Sequence, residues 1–188
     1  MEIKLVPKKD LNKVWKLHKE YVEENSTLKE IEDLYTKFPK LFVGCYSENH
    51  LIGICIPGSF NEEIYLKGIA IEKDYWRKGL GSKLLSFFEQ QLRDLNIKEI
   101  SVPSADISWV ENFYLKNNYK PSQLLVKVKT NKLPKGYKNK GFKIFNERRE
   151  KEYKVFYIRT NEYSARHRIK LKRIFNADVV IYILKKKL

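Results

Sequence analysis

The chain has 188 residues, 43% apolar and 13% aromatic, enough to bury an ordinary core and too apolar for a disordered segment. No apolar run nears the roughly 18 residues of a membrane span, the start MEIKLVPKKD lacks a signal-peptide stretch, and Cys45 and Cys55 make neither a disulfide framework nor metal-ligand spacing. That composition reads as cytosolic. The formal charge of +15 is uneven: residues 1–130 carry 20 basic and 18 acidic side chains, whereas residues 131–188 carry 18 and 5. A segment of net +13 either meets an acidic partner or is a solvated Lys/Arg face.

Residues 2–6 alternate and stop at Pro7, a first strand. Asp10 is placed to cap a helix running to about Glu24, with Leu11, Val14, Trp15, His18, Tyr21 and Val22 on one stripe. A second helix follows from Thr27 to about Phe38 and closes at Pro39. KLFVGCYS and HLIGICIPG flank a turn at Glu48-Asn49 and read as an antiparallel hairpin; that turn sets Cys45 opposite Ile52, so both cysteines are small core residues. Residues 62–71 form the next strand, with Gly68 as a bulge. Leu80, Leu84, Leu85, Phe88 and Leu92 are spaced for a helix over 79–95. IKEISVP is a strand stopped by Pro103, and residues 106–118 carry Ile107, Val110 and Tyr114 one turn apart, a further helix. Residues 119–130 are again extended. Hairpins mixed with helix crossovers predict an α/β (α+β) body over 1–130 with a mixed, mostly antiparallel sheet flanked by helices.

The informative segment is Ile69-Ala70-Ile71, then a polar loop through Trp76, Arg77 and Lys78, then Gly79-Leu80-Gly81-Ser82 opening an amphipathic helix. Glycines let a ligand approach the backbone, the unpaired N–H groups of a first helical turn attract an anion, and Arg77 and Lys78 add mobile positive charge. Neither a Walker loop nor a dinucleotide fingerprint fits, since the required residues beyond G-x-G are missing. No two of His18, His50 and His167 have metal spacing, and no metal is expected. His18 falls on the apolar stripe and reads as a core residue.

The segment resembles the acyl-CoA signature of the GNAT N-acetyltransferase superfamily, (R/Q)-x-x-G-x-(G/A) between the fourth strand and third helix. Gly79 and Gly81 match it, while Trp76 stands where the family prefers Arg or Gln. Phe113-Tyr114-Leu115-Lys116-Asn117-Asn118-Tyr119 resembles the family's F-Y-x-K-x-G-F end, with Asn118 in place of glycine; Ile107 stands where Asn is common. The resemblance implies an acetyl-CoA-dependent N-acetyltransferase acting on an amine acceptor by direct attack on the thioester. Ile69, Ala70 and Ile71 would meet the pantetheine arm, and Trp76, Arg77, Lys78, Gly79, Leu80, Gly81 and Ser82 would surround the pyrophosphate, with Lys116 also on the cofactor. Tyr114 would be the general acid that protonates the departing thiolate. The attacking amine must be neutral, and Glu62 and Glu63 are the nearest carboxylates by order. The acceptor would sit between the first two helices and the loop after Ile100, where Glu23, Glu24, Glu30, Glu32 and Asp33 hint at a cationic amine.

Residues 131–188 follow as a basic segment: a loop, GFKIF, a charged turn NERREKE, the strand YKVFYIRT, a helix over 162–175 and a last strand ADVVIYIL. ADVVIYIL either closes the body's sheet after an insertion or belongs to a small subdomain. On a helical wheel Tyr163, His167, Leu171, Ile174 and Phe175 share one arc, and Arg166, Arg168, Lys170, Lys172 and Arg173 lie outside it. Five outward cations suit nonspecific binding of nucleic-acid phosphates, which leaves open a second reading: a nucleic-acid-associated protein with an idle or regulatory GNAT body. A homodimer is likewise open.

Overall fold

The computed structural model describes residues 1–60 and 63–188. They form two compact units, Met1–Ile100 with Lys187–Leu188, and Ser101–Lys186.

The first unit runs β1 (Glu2–Leu5), α1 (Leu11–Tyr21), α2 (Leu28–Lys37), β2 (Val43–Ser47), β3 (His50–Phe60), β4 (Glu63–Ile71), α3 (Leu80–Asp94) and the start of β5 (Glu99–Pro103). β1 to β4 are antiparallel neighbours in chain order. α1 and α2 bury Leu11, Val14, Leu17 and Ile31 with Phe42, Ile54, Ile56 and Ala70 of the sheet side. Each such aliphatic side chain contributes about 1.5–3 kcal/mol on burial. α3 packs on β2, β3 and β4, and its Leu84, Leu85, Phe88 and Leu92 are fully buried.

The expected hairpin is present, closed by Glu48 and Asn49 at φ 49° and 69°, the left-handed pair of a tight hairpin turn. Its register differs from the expected one. A slip between Cys45 and Tyr46 sets Cys45 opposite Gly53 and Cys55 opposite Val43, so the two thiols stay apart, free and buried. Asp10 also departs from its expected role: it ends a 3-10 turn with φ −95° and ψ 3°, outside the extended geometry that aims a capping side chain, and makes no capping hydrogen bond. Its carboxylate instead accepts from the Tyr46 hydroxyl at 3.1 Å and pairs with Lys13 at 2.8 Å.

The second unit holds the rest of β5, α4 (Ser108–Lys116), β6 (Lys120–Lys129), β7 (Ile144–Glu150), β8 (Tyr153–Arg159), α5 (Ala165–Phe175) and β9 (Val179–Lys187) to Lys186. β9, β6, β8 and β7 lie side by side in that order, all pairs antiparallel. Phe156 and Phe175 meet edge to face at 4.9 Å over Leu124, Val126 and Val180, which are all fully buried. Of the charged run NERREKE, residues 146–150 lie in β7 rather than in a turn, because their charges have partners across the ladder and in the neighbouring loop, and only Lys151 and Glu152 make the turn. Glu150 binds Lys127 and Arg148, and Glu147 binds Tyr137, Lys138 and Lys154. The chain reverses one residue later, at Lys151 with φ 52°. Interleaved helices and antiparallel strands make the chain the α/β (α+β) protein that the periodicities predict.

Candidate active site

The turn from β4 to α3 is built as its glycines require. Gly79 caps α3 in the left-handed region, φ 74°, and a Cβ added there would meet nothing within 4 Å, so the site in front of it is open. The helical ladder begins with Lys83 N–H to the Gly79 carbonyl at 3.2 Å. The amides of Leu80, Gly81 and Ser82 therefore lie ahead of it, at the positive end of the helix dipole. Arg77 holds a left-handed φ of 59° and is exposed, as are Lys78 and Lys83. Lys78 donates to the Asp74 carbonyl at 2.9 Å and lies 5.0 Å over the Tyr75 ring. Trp76 turns back along the loop and donates its indole N–H to the carbonyl of Ile71, the last residue of β4. One of the strand-end acceptors is thus already engaged by the residue that replaces the family's Arg or Gln.

The second feature lies on β4 itself. Ile56 pairs with Gly68 and Pro57 with Leu66, so Lys67 is the extra residue of a β-bulge, one position before the glycine expected to form it. Lys67 Nζ reaches Glu23 just after α1 at 2.8 Å and Glu30 of α2 at 2.9 Å. Burial draws its ammonium pKa down, but the two carboxylates outweigh it and raise the value. Reciprocally, the Lys67 hydrogen bond lowers Glu23 against the opposing effect of burial. The acidic region expected for a cationic acceptor is therefore neutralised at its centre by the chain's own lysine. His18 lies fully buried against this bulge, with no hydrogen bond on either ring nitrogen. A Cβ at Gly68 would come within 3.0 Å of its ring, so the glycine makes room for the imidazole. Burial first, and the Lys67 charge second, depress its pKa to about 4, with Glu23 and Glu30 opposing. His18 is neutral at physiological pH.

Of the residues singled out by sequence, Glu63, Ile69, Ala70, Ile71 and Trp76 to Ser82 belong to the first unit, while Tyr114 and Lys116 belong to the second. Glu63 is exposed at the entry of β4, and Glu62 lies outside the described residues. Tyr114 is buried on α4 between the rings of Phe113 and Tyr119, at 5.1 and 5.5 Å. Asn118 holds φ 68°, the backbone that the family's glycine would supply. Ile107 precedes α4 instead of joining its buried face, and is half-exposed. Lys67 was missed, since nothing local shows a bulge lysine reaching two acids some 40 residues away; Gly68 was the available signal. Among the described residues no cluster of three His, Cys, Asp or Glu side chains is placed to hold a metal, and no helix is long and apolar enough to cross a membrane.

Arg168 corrects the helical wheel. Expected among the outward cations of α5, it is buried and pairs with Asp106, which also takes Lys172. It lies 3.3 Å from the fully buried Glu111 of α4, whose other oxygen accepts from Tyr163 at 2.7 Å. Burial raises the Glu111 pKa, and the Tyr163 hydrogen bond holds it back.

The model of the acetyltransferase (GNAT) family matches residues 10–118. The chain belongs to the GNAT acetyltransferase family. No curated protein matches it significantly. Among solved structures it is similar to Ard1 from Thermoplasma volcanium, 18% identical, with a TM-score of 0.60 over 86% of this chain and 98% of that one. It is similar to an N-acetyltransferase from Staphylococcus aureus Mu50, 15% identical, TM-score 0.55, over 85% and 97%. A third is the diaminobutyrate acetyltransferase EctA from Paenibacillus lautus, in complex with L-2,4-diaminobutyric acid and coenzyme A, 13% identical, TM-score 0.57, over 87% and 96%. At such identities the likeness is one of fold, and the GNAT fold is shared over nearly the whole of each relative.

Proposed function

We propose that this GNAT protein transfers an acetyl group from acetyl-CoA to an amine. The observation that carries the reading is the open turn at Gly79, with three amides ahead of the α3 ladder beside Arg77 and Lys78. Such a turn fits a pyrophosphate, because backbone N–H groups and a helix dipole face the anion and mobile cations flank it. Acetyl-CoA supplies an activated thioester, at which the acceptor amine attacks directly.

Trp76 to Ser82 hold the phosphate end in this reading, and Ile69, Ala70 and Ile71 run along the pantetheine arm. The bulge at Lys67 interrupts the β3–β4 ladder and frees strand backbone to face the negative charge developing on the carbonyl oxygen. Tyr114 donates the proton to the leaving thiolate, a role carried by its match to the family motif. An ordinary phenol near 10 transfers a proton to a thiolate of conjugate acid near 8.5 only uphill, by about 2 kcal/mol, a cost that rapid departure of the product absorbs. Lys116 borders the cofactor, and Glu63 is the carboxylate offered to the incoming ammonium.

Calorimetric titration with acetyl-CoA tests the reading. The parent should bind saturably and Gly81→Glu, which sets a carboxylate among the turn amides, should not. A folded parent that binds no acetyl-CoA overturns it. Tyr114→Phe should lower kcat by about 100-fold or more with acetyl-CoA affinity nearly unchanged; undiminished turnover removes Tyr114 from the mechanism.

A further inference from the structure

The Lys67 ammonium is more deeply set than the carboxylates it joins. Its side chain is 12% exposed, against 49% for Glu23 and 41% for Glu30. The lysine therefore enters from below, out of the sheet, and its two partners reach down from the loop after α1 and from α2. A cleft of about 460 Å³ opens beside it, lined by Glu30, Asp33, Gly58, Tyr65 and Lys67. Its size suits a small amine, and at its Lys67 corner the Glu23–Glu30 pair is already filled by a cation. A second ammonium entering that corner would have to expel Lys67, stranding a mostly buried charge without a partner. Leaving a mostly buried ammonium unpaired is costly for just that reason. Behind the corner the buried His18 carries no compensating charge, since it is neutral and offers no carboxylate.

We propose that Lys67 determines acceptor specificity: it occupies the two carboxylates that would otherwise hold the distal ammonium of a diamine, so the site takes singly charged amines and excludes α,ω-diamines and polyamines. This inference rests on the acetyltransferase reading for the identity of the site. It reverses what the acid-rich segment suggests by composition, where Glu23, Glu24, Glu30, Glu32 and Asp33 point to a polycationic acceptor.

The test compares 1,4-diaminobutane with 1-aminobutane, by calorimetric binding and by acetyl transfer, on the full chain. The parent should bind the diamine no more than about threefold better than the monoamine. Lys67→Met, which frees both carboxylates, should gain about tenfold or more for the diamine alone, the scale of one charge-assisted hydrogen bond. Glu23→Gln with Glu30→Gln should cancel that gain, and Lys67→Arg should show none. Lys67→Gln serves should the Met variant fail to fold. A diamine-to-monoamine ratio in the folded Lys67 variant equal to the parent's overturns the proposal, as does a parent that already prefers the diamine by more than about threefold. Binding and turnover separate the two readings. Tighter diamine binding without acetyl transfer in any form keeps the exclusion and fails the enzyme; acetyl transfer with an unchanged ratio does the reverse.

Discussion

His18 is the residue at which burial most directly becomes a pH dependence. In the unfolded chain an imidazole titrates near 6.5, and in the folded chain this one titrates near 4. Between those values the unfolded state binds more protons, so stability rises with pH there. His18 should cost nothing above pH 7 and should progressively destabilise the fold as pH falls from about 6.5 to 4, by about 3 kcal/mol in all. Urea titrations at pH 7 and pH 4.5 read this directly, and His18→Leu should remove most of the difference. An unchanged pH slope in that variant would assign the dependence to other groups. At Gly79 the prediction is milder: Gly79→Ala has room but a left-handed backbone, so it should cost about 1–2 kcal/mol and leave the loop open. Thermal melts of that variant check it.

Among the elements, α5 is the one whose sequence pattern misleads. Its apolar arc does pack, through Leu171 and Phe175, and Phe142 stacks on Phe175 and His167 at 5.7 and 6.0 Å. Arg168 nevertheless lies inside, because Asp106 of the loop before α4 and Glu111 of α4 stand where a helical wheel knows only of solvent. A buried carboxylate and guanidinium are together tolerable and apart expensive. Arg168→Met should therefore cost about 3 kcal/mol or more, measured by denaturant unfolding at pH 7. Glu111→Gln in that background should recover part of the loss, because it removes the stranded charge. If the double variant is no more stable than Arg168→Met, the pair is not the source. β7 makes the complementary point. Its run of charges looks like a turn in one dimension and is a strand in three, since Glu147 and Glu150 find cations on β6 and β8 and in the loop before β7.

Over the whole molecule the charge divides by unit. Ser101–Lys186 carries 21 basic and 7 acidic side chains, a net of +14, while the first unit stands at +1. Six of those seven acids, Asp106, Glu111, Glu147, Glu150, Glu152 and Asp178, already hold cations. The seventh, Glu162, is too little to neutralise the excess within its unit. Arg166, Lys170 and Arg173 line one exposed strip of α5 together with Ile169 and Ile174. Binding to heparin, a probe of charge alone, should weaken linearly with the logarithm of salt concentration. Replacing Arg166, Lys170 and Arg173 by Glu should make that slope shallower by about two or three charges. An unchanged slope would move the electrostatic face off α5.

The family, most of the order of elements and the glycine turn before α3 were legible in the sequence, because each is written locally: periodicity in the helices and strands, and two glycines at a strand-to-helix junction. Asn118 belongs with them, since a left-handed backbone is a property of the residue itself. The pairing of the acidic segment was not legible. Whether Glu23 and Glu30 await a cation or already hold one depends on a register slip between β3 and β4 that turns Lys67 toward the helices. The same holds for Arg168, outward on a wheel and buried in the fold. Charge counted along a chain does not say which charges meet, and only tertiary packing decides which of them remain free to act.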